Sequence, residues 1–427
     1  MNSFLRTGLL IFQSIISFMV AYLMLLTYAA WRAPRRTLMP TSGFSNELYS
    51  FSILIPAHNE EKLLPRLLSN LATLDYPRSH LNIHVIADNC TDKTADLARQ
   101  SSVIVHERFN PDNRGKGYAL QWLLDQLWQS HQIQGAVVIL DADTIVSSNF
   151  LRVMNTRLLQ GERVIQSYYA AQNPESSFSA GLRYAALAVL HYLRPQGRMV
   201  LGGSAGLKGN GMVFTADVMK KHAWSDSVTE DIELHMMLLL AGERVTFSPD
   251  AVIQAEMPDK LTDARSQNVR WEQGRLQMAK KYVPKLLKAF KDNLRHPKRA
   301  FVFGDAIMEH IIPPFSILAS LSGVSLLASL FWWHSERNKS KRDRLSARHS
   351  SYRSAKLSQL NLVLSFGAIL GQAWYLLAGL KMVNAPRSVY RAFVYAPGYV
   401  VWKIWHYLRI LLGSENQKWV RTTRNEG

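Results

Sequence analysis

Phe-Ser-Ile-Leu-Ile-Pro-Ala-His-Asn-Glu (51–60) is a short apolar β-rich run that ends in a polar loop, and the pattern repeats along the chain. Ile-His-Val-Ile-Ala-Asp-Asn-Cys (83–90) and Ala-Val-Val-Ile-Leu-Asp-Ala-Asp (136–143) are built the same way. Two further runs, 102–108 and 163–170, share the β-rich character. Helix-like segments over 61–74, 92–100, 117–130 and 147–160 separate several of them. Continuous apolar strands alternating with helices predict an α/β unit with a parallel sheet covered on both faces. In such sheets ligands bind beyond the carboxyl ends of the strands. Three of those ends are His58-Asn59-Glu60, Asp88-Asn89 and Asp141-Ala142-Asp143, so the chemistry belongs there.

Outward from this unit the chain becomes membrane-like. Leu5–Tyr28 is a nearly uncharged apolar run, long enough to cross a bilayer core of ~30 Å as a helix. A cleaved signal peptide is the alternative, but the run is long for one, and Arg32, Arg35 and Arg36 follow it directly. Those arginines predict an uncleaved anchor with its C-terminal side in the cytoplasm. Ile311–Trp333 and Leu357–Leu380 are further candidate spans, and Val389–Leu412, interrupted by Arg391, Pro397 and Lys403, is a weaker, interfacial or re-entrant one.

The formal charge of +18 over 427 residues arises entirely after residue 274. Basic side chains packed between apolar runs point to anionic lipid rather than nucleic acid. Leu286, Leu287, Phe290 and Leu294 can share one helical face among lysines and arginines, which predicts an amphipathic interfacial helix. A basic loop, 334–356, conflicts with a single crossing by Ile311–Trp333, unless Pro313-Pro314 folds that segment into a hairpin. The lone Cys90 excludes an intramolecular disulfide and a cysteine-only zinc site. The layout is therefore an anchor (1–31), a globular domain (50–275), an interfacial helix (276–300), a membrane region (301–412) and a tail (413–427).

Asp141 and Asp143 close an apolar strand, as carboxylates do that hold a hard divalent cation on a diphosphate. Solvated or capping aspartates are the alternative. Asp88 ends another strand, either to accept hydrogen bonds from a nucleotide base or as a turn residue. Lys116, in Arg114-Gly115-Lys116-Gly117, opens a helix within reach of a phosphate. There is no Walker loop and no dinucleotide G-x-G-x-x-G, which excludes the usual nucleotide hydrolases and nicotinamide enzymes. Thr229-Glu230-Asp231 begins an apolar helix. Ser227 with Glu230 fits a capping box, while Asp231 suits a general base kept ionised by the helix N-terminus. Gln267-Asn268-Val269-Arg270-Trp271 is the most discriminating motif, since Gln-x-x-Arg-Trp arises by chance only about 0.03 times in such a chain. Its arginine offers a planar fork for a diphosphate, and its tryptophan a flat face for a sugar.

In order and spacing, Pro56-Ala57-His58-Asn59-Glu60, Ala87 to Asp92, Asp141-Ala142-Asp143, Thr229-Glu230-Asp231 and Gln267 to Trp271 resemble the membrane-anchored family 2 glycosyltransferases, which include cellulose, chitin and hyaluronan synthases. The resemblance covers about 50–275 by motif and the flanks by layout. It implies a Rossmann-like GT-A domain facing the cytoplasm of a bacterial inner membrane. It implies a UDP-sugar donor, bound by Pro56, Ala57, Glu60, Asp88, Lys116, Asp141, Gln267 and Arg270, with Mg²⁺ or Mn²⁺ on Asp141 and Asp143. Asp231, with Glu230 beside it, becomes the catalytic base. Trp271, Gly209 and Asn210 fall on the acceptor side. The expected reaction is inverting transfer to a membrane-associated lipid or glycan, with a processive synthase as one alternative and a non-catalytic nucleotide-sugar-binding scaffold as another. Fewer spans than the larger synthases place the processive alternative second.

Overall fold

The structure, a computed structural model, describes residues 3–33, 47–257, 265–342 and 349–411. The expected tail (413–427) lies outside them. A long helix α1 (Ser3–Arg32) leads into β1 (Phe51–Ala57), α2 (Leu64–Leu71), β2 (Leu81–Asp88), α3 (Thr94–Arg99) and β3 (Ile104–Arg108). Then come α4 (Lys116–Gln129), β4 (Ala136–Ile139), β5 (Thr144–Val146), α5 (Phe150–Leu159) and β6 (Val164–Ala171). Next are α6 (Phe178–Leu187), α7 (Arg194–Leu201), β7 (Met212–Thr215), α8 (Ala216–Lys221), α9 (Glu230–Leu240) and β8 (Thr246–Ala255). The chain ends with α10 (Arg265–Asp292), α11 (Pro297–Ile311), α12 (Phe315–Arg342), α13 (His349–Met382), α14 (Arg387–Ala392) and α15 (Ala396–Leu411).

Among the described residues the strands form one eight-stranded sheet in the order β3-β2-β1-β4-β7-β6-β8-β5. The first four are parallel, as the apolar runs predict, in a Rossmann-like half-sheet. The whole is mixed rather than parallel, which corrects the sequence expectation. β7 runs antiparallel to β4 and β6, and β5 antiparallel to β8. β5, three residues long, follows β4 with no helix between them, and β7, four residues long, returns after α6 and α7 to fill the place between β4 and β6. One core packs α2 and α5 on one face, around Phe51, Leu64, Phe150 and Met154. The other packs α4 and α9 around Leu120, Leu124, Phe214 and Leu234. Both faces are covered, so strands such as Ile53-Leu54-Ile55 are apolar at every position.

Among the described residues three helices are long and apolar enough to cross a membrane: Phe4–Arg32, Phe315–Asn338 and Ser354–Met382. They pack around Val20, Leu23, Leu318, Ala368 and Tyr375. A polar seam ties them together. Gln13 Oε1 accepts from Ser325 and Ser365 Oγ, Asn361 Nδ2 donates to Ser329 Oγ (2.6 Å) and Gln372 Nε2 to Ser322 Oγ (2.6 Å). Such bonds hold helices together where burial alone gives no preference between lipid and protein. α12 is unbroken and Pro313-Pro314 precedes it, so the sequence-based hairpin does not form. Arg6 bonds both Glu336 (2.5 Å) and Ser354 (2.6 Å), so the later part of α12 and the early part of α13 meet the N-terminal end of α1. The globular-domain end is the other one, where Gly197 of α7 meets the Leu26 backbone so closely that a Cβ would lie 2.3 Å from its oxygen.

The expected helix over 276–300 is instead the second half of α10, which begins before the proposed domain boundary at 275. Its apolar face is also divided. Leu286 is fully buried with Met236 and Leu239 of α9, whereas Leu287 and Leu294 are exposed.

Candidate functional site

At the carboxyl ends of β1 and β2 two loops are laced together. Asn59 takes a left-handed backbone (φ 56°) so that its Oδ1 accepts from Thr91 N at 2.7 Å, and Glu60 N donates to Thr94 Oγ1 at 2.8 Å. His58 Nδ1 lies 2.8 Å from the Asp88 carbonyl. Pro56 and Ala57 form the last turn of β1 beneath this loop. Asp88 itself is buried and paired with Arg108 Nη1 at 2.5 Å, and Asn89 Nδ2 donates to the same Oδ1 at 3.0 Å. Arg108, which the sequence did not single out, orients the carboxylate.

Beyond β4, Asp141 and Asp143 lie on a tight turn closed by Thr144 N donating to Asp141 O (3.2 Å). Both are half-buried. The turn is held by Asn210, which is wholly buried: its Oδ1 accepts from Asp141 N (3.1 Å) and its Nδ2 donates to Thr144 Oγ1 (2.8 Å). Gln166 Nε2 donates to Asn210 O at 2.8 Å, and Gln166 Oε1 accepts from Lys208 N at 2.8 Å. Asn210 was expected on the acceptor side; its amide is instead spent inside the protein, as a bracket for the Asp141–Asp143 turn. Gly209 next to it does face the cleft. A Cβ there would lie 3.3 Å from Asp231 Oδ2, at a backbone (φ 78°) that favours glycine.

Lys116, the first residue of α4, joins these parts: its Nζ donates to Asp141 Oδ1 and to Gly209 O. α4 approaches the loop before α9 so closely that a Cβ on Gly117 would meet the Ser225 oxygen at 2.1 Å and Glu230 Cβ at 3.5 Å. The result is a cluster of Asp141, Glu230 and Asp231 around one lysine. Glu230 and Asp231 open α9, whose N-cap is Thr229 with no side-chain cap bond, so the Ser227–Glu230 capping box does not form.

The electrostatics of the pair differ from the sequence expectation. Burial, and for Glu230 the neighbouring Asp231 charge, push the Glu230 carboxyl up to about 7. Burial also raises Asp231 above the ordinary aspartate value, against the Ile232 N–H and the Lys116 and Lys208 charges, which favour the ionised form. The helix N-terminus alone therefore does not set Asp231, because desolvation outweighs it. Lys208 is a second residue that the sequence did not mark. It lies at the edge of a buried ionic cluster, 3.8 Å from Glu309, and desolvation lowers its pKa. In that cluster Arg198 pairs with Asp305 (3.0 Å) and Glu309, and Arg194 with Glu309 (3.5 Å). Paired charges four residues apart on both α7 and α11 were its sequence signal.

The Gln267–Trp271 motif occupies the first turns of α10. Gln267's side chain lies outside the described residues. Arg270 is half-buried and Trp271 is 40% exposed. One turn on, Gly274 abuts α9's cap, where a Cβ would meet Thr229 Cγ2 at 2.2 Å. Tyr282 Oη and Lys281 Nζ both donate to Glu233 Oε1, the former at 2.9 Å. α10 is thereby locked beside the start of α9, which bears Glu230 and Asp231, with the motif one turn before that contact.

Among curated proteins, the chain is 29% identical over 247 residues to the beta-monoglucosyldiacylglycerol synthase of Nostoc sp., covering 56% of this chain and 51% of that one. It is 27% identical over 241 residues to the poly-beta-1,6-N-acetyl-D-glucosamine synthase of Staphylococcus aureus, covering 54% and 55%. The chain thus spans about half the length of the curated relatives it matches. A mannosyltransferase from Pyrobaculum calidifontis, solved with GDP-Man and Mn²⁺, overlays at a TM-score of 0.48 with 16% identity, covering 83% of this chain and 99% of that one. The family model for "Glycosyltransferase like family 2" matches residues 49–274, the whole sheet and both halves of the cleft. The chain belongs to that glycosyltransferase family.

Proposed function

We propose that the protein is a metal-dependent, inverting hexosyltransferase that moves a sugar from a UDP-sugar to a membrane-associated lipid or glycan with formation of a β-linkage. The observation that carries this reading is the convergence of Asp141, Lys116, Glu230 and Asp231 in one cleft, with α10 docked against it at Gly274 and Thr229. The family and the relatives named above support the class of reaction.

A divalent cation of the Mg²⁺ or Mn²⁺ kind fits Asp141 and Asp143. They supply two hard oxygen ligands from one turn, and among the described residues no three His, Cys, Asp or Glu side chains converge as a closed site. That is the pattern of an ion held by one or two carboxylates and completed by substrate phosphates. When bound, it would neutralise charge on the departing diphosphate.

The chain's own residues account for the rest. The Asp88 loop and the end of β1 receive the nucleoside, with Asp88 aimed by Arg108. Lys116 and Arg270 add positive charge where the diphosphate leaves. Asp231 takes the proton from the acceptor hydroxyl as its oxygen bonds to the anomeric carbon from the opposite face. The bond from that carbon to the UDP oxygen breaks, its electron pair leaving with UDP. One displacement inverts the centre. Trp271 offers an exposed flat surface for the acceptor. Three membrane-length helices at one end of the catalytic domain support a bilayer-resident enzyme, with the arginine-rich C-terminal side of α1 and the catalytic domain on the cytoplasmic face.

UDP release by the detergent-purified protein tests the reading. A panel of UDP-sugars with Mg²⁺ or Mn²⁺ and a lipid extract as acceptor should give release from one donor. Release that ignores metal, or a product retaining the donor's anomeric configuration, contradicts it.

A further inference from the structure

The end of the described chain carries an apolar stripe that no other described residue covers. α13 ends at Met382 beside the C-terminal end of α1, where Lys381 Nζ lies 5.3 Å from the Trp31 ring centroid. Tryptophan with Lys or Arg at one level is the composition of a bilayer boundary. α14 begins only a few residues later and α15 follows. Val394, Val401, Trp405 and Leu408 are 79%, 68%, 61% and 47% exposed. Their spacing puts them on one side of the segment, where Pro397 and Gly398 hold the positions one turn on from Val394. Lys403 and Arg409 interrupt α15 with charge. The helix suits lying along the boundary better than crossing it.

The opposite side of α15 faces the rest of the protein. Just before the helix Tyr395 stacks on Phe178 of α6 at 4.7 Å, and within it His406 is buried beside Trp402 (ring centroids 4.6 Å apart). Lys403 Nζ reaches Glu272 Oε1 at 3.6 Å, with both side chains largely buried. Glu272 directly follows Trp271. It also pairs with Arg275 (3.4 Å), whose Nη1 donates to Ile312 O (2.8 Å) at the start of the membrane region.

We propose that α15 is a membrane-interface helix: the Val394–Val401–Trp405–Leu408 stripe seats in the lipid headgroup boundary, and this seating, through Lys403 and Glu272, holds the α10 turn bearing Arg270 and Trp271 in place. The occupant is the lipid surface because the stripe starts where α13 leaves the membrane-length bundle. The coupling rests on the transferase reading only for what the held turn does.

The test uses the full chain in anionic-lipid vesicles. On a Cys90→Ser background, spin labels at Val401→Cys and Leu408→Cys are compared with one at the solvent-exposed Arg99→Cys. The stripe positions should be accessible to oxygen and shielded from a water-soluble nickel complex. Nickel access equal to that at Arg99 overturns the seating, and so does exclusion of both reagents, the signature of a covering protein or second copy. Hydrogen exchange over 266–275 reads the coupling. Lys403→Gln, Glu272→Gln and Trp405→Asp should each speed it by about fivefold, the scale of one lost ion pair. The charge swap Lys403→Glu with Glu272→Lys should restore it. Unchanged exchange in Trp405→Asp, or no rescue by the swap, overturns the coupling. Neither readout needs sugar transfer, so a protein inactive with every donor would overturn the transferase reading and leave this one standing.

Discussion

Two carboxylates in direct succession, Glu230 and Asp231, share one buried, lysine-lined corner, and their difference in role follows from charge. Only one can be ionised cheaply. Burial and the Asp231 charge push Glu230 up to about 7, while burial also raises Asp231, whose charge the Ile232 N–H, Lys116 and Lys208 favour. As a base, Asp231 must be ionised, so activity falls as pH drops through its raised pKa. The charge that acts across the pair is that of Asp231 on Glu230, so Glu230→Gln should leave the acidic limb of the kcat profile in place. Stability gives an independent reading. Glu230 holds its proton more tightly folded than its ordinary value of 4.5, so its contribution to stability is present below that value and is lost as pH rises through about 7. Glu230→Gln should therefore raise the thermal midpoint at pH 7.5 and leave it nearly unchanged at pH 4. A variant that melts lower than the parent at pH 7.5 would contradict the assignment.

At the scale of elements, close contacts rather than side-chain chemistry bring the site together. α10 meets α9 through Gly274, and α4 meets the same corner through Gly117. Gly117→Ala opposes a backbone oxygen that cannot rotate away, so it should destabilise by about 1–3 kcal/mol and displace Lys116. Gly274→Ala presses instead on the Thr229 side chain. It should lower kcat more than donor affinity, with partial recovery in Gly274→Ala/Thr229→Ala; single-turnover and calorimetric measurements separate the two. Elements of this kind mark the limit of the sequence. β1, β2 and β4 were legible because burial on both faces makes every residue apolar. β5 and β7 were not: three or four residues carry no periodicity, and Met212–Thr215 follows a glycine-rich stretch that reads as loop. Ala-Asp-Asn-Cys-Thr-Asp and Asp-Ala-Asp were visible as motifs, but Arg108, Lys208 and the Asn210 bracket owe their roles to long-range packing.

Across the whole molecule, buried charge joins α7 of the catalytic domain to α11, which leads into the membrane-length helices, and Asp305 of α11 also accepts from Tyr22 Oη of α1. Arg198 is 2% exposed and holds both Asp305 and Glu309. Replacing it leaves two buried carboxylates short of their partner, so Arg198→Met should cost about 3–5 kcal/mol, read as a lower thermal midpoint in detergent. Loss of a buried partner is far more costly than loss of an exposed one, so Arg99→Met, at a surface pair, serves as the silent control. The cluster also reaches the candidate site, since Lys208 lies 3.8 Å from Glu309 while the adjacent Gly209 borders Asp231.

Whether Asp231 and the Asp141–Asp143 turn perform metal-dependent sugar transfer is tested most directly by one comparison. Wild-type, Asp231→Asn and Asp143→Ala proteins are assayed for UDP release with the preferred UDP-sugar, Mg²⁺ or Mn²⁺ and membrane lipid, with donor binding measured alongside by calorimetry. The account predicts that Asp231→Asn loses ~10²–10⁴-fold in rate, the usual worth of a general base, while its donor affinity survives. Asp143→Ala should lose the metal-dependent part of both. Equal losses of rate and donor affinity in Asp231→Asn, or full activity in either variant, would contradict it.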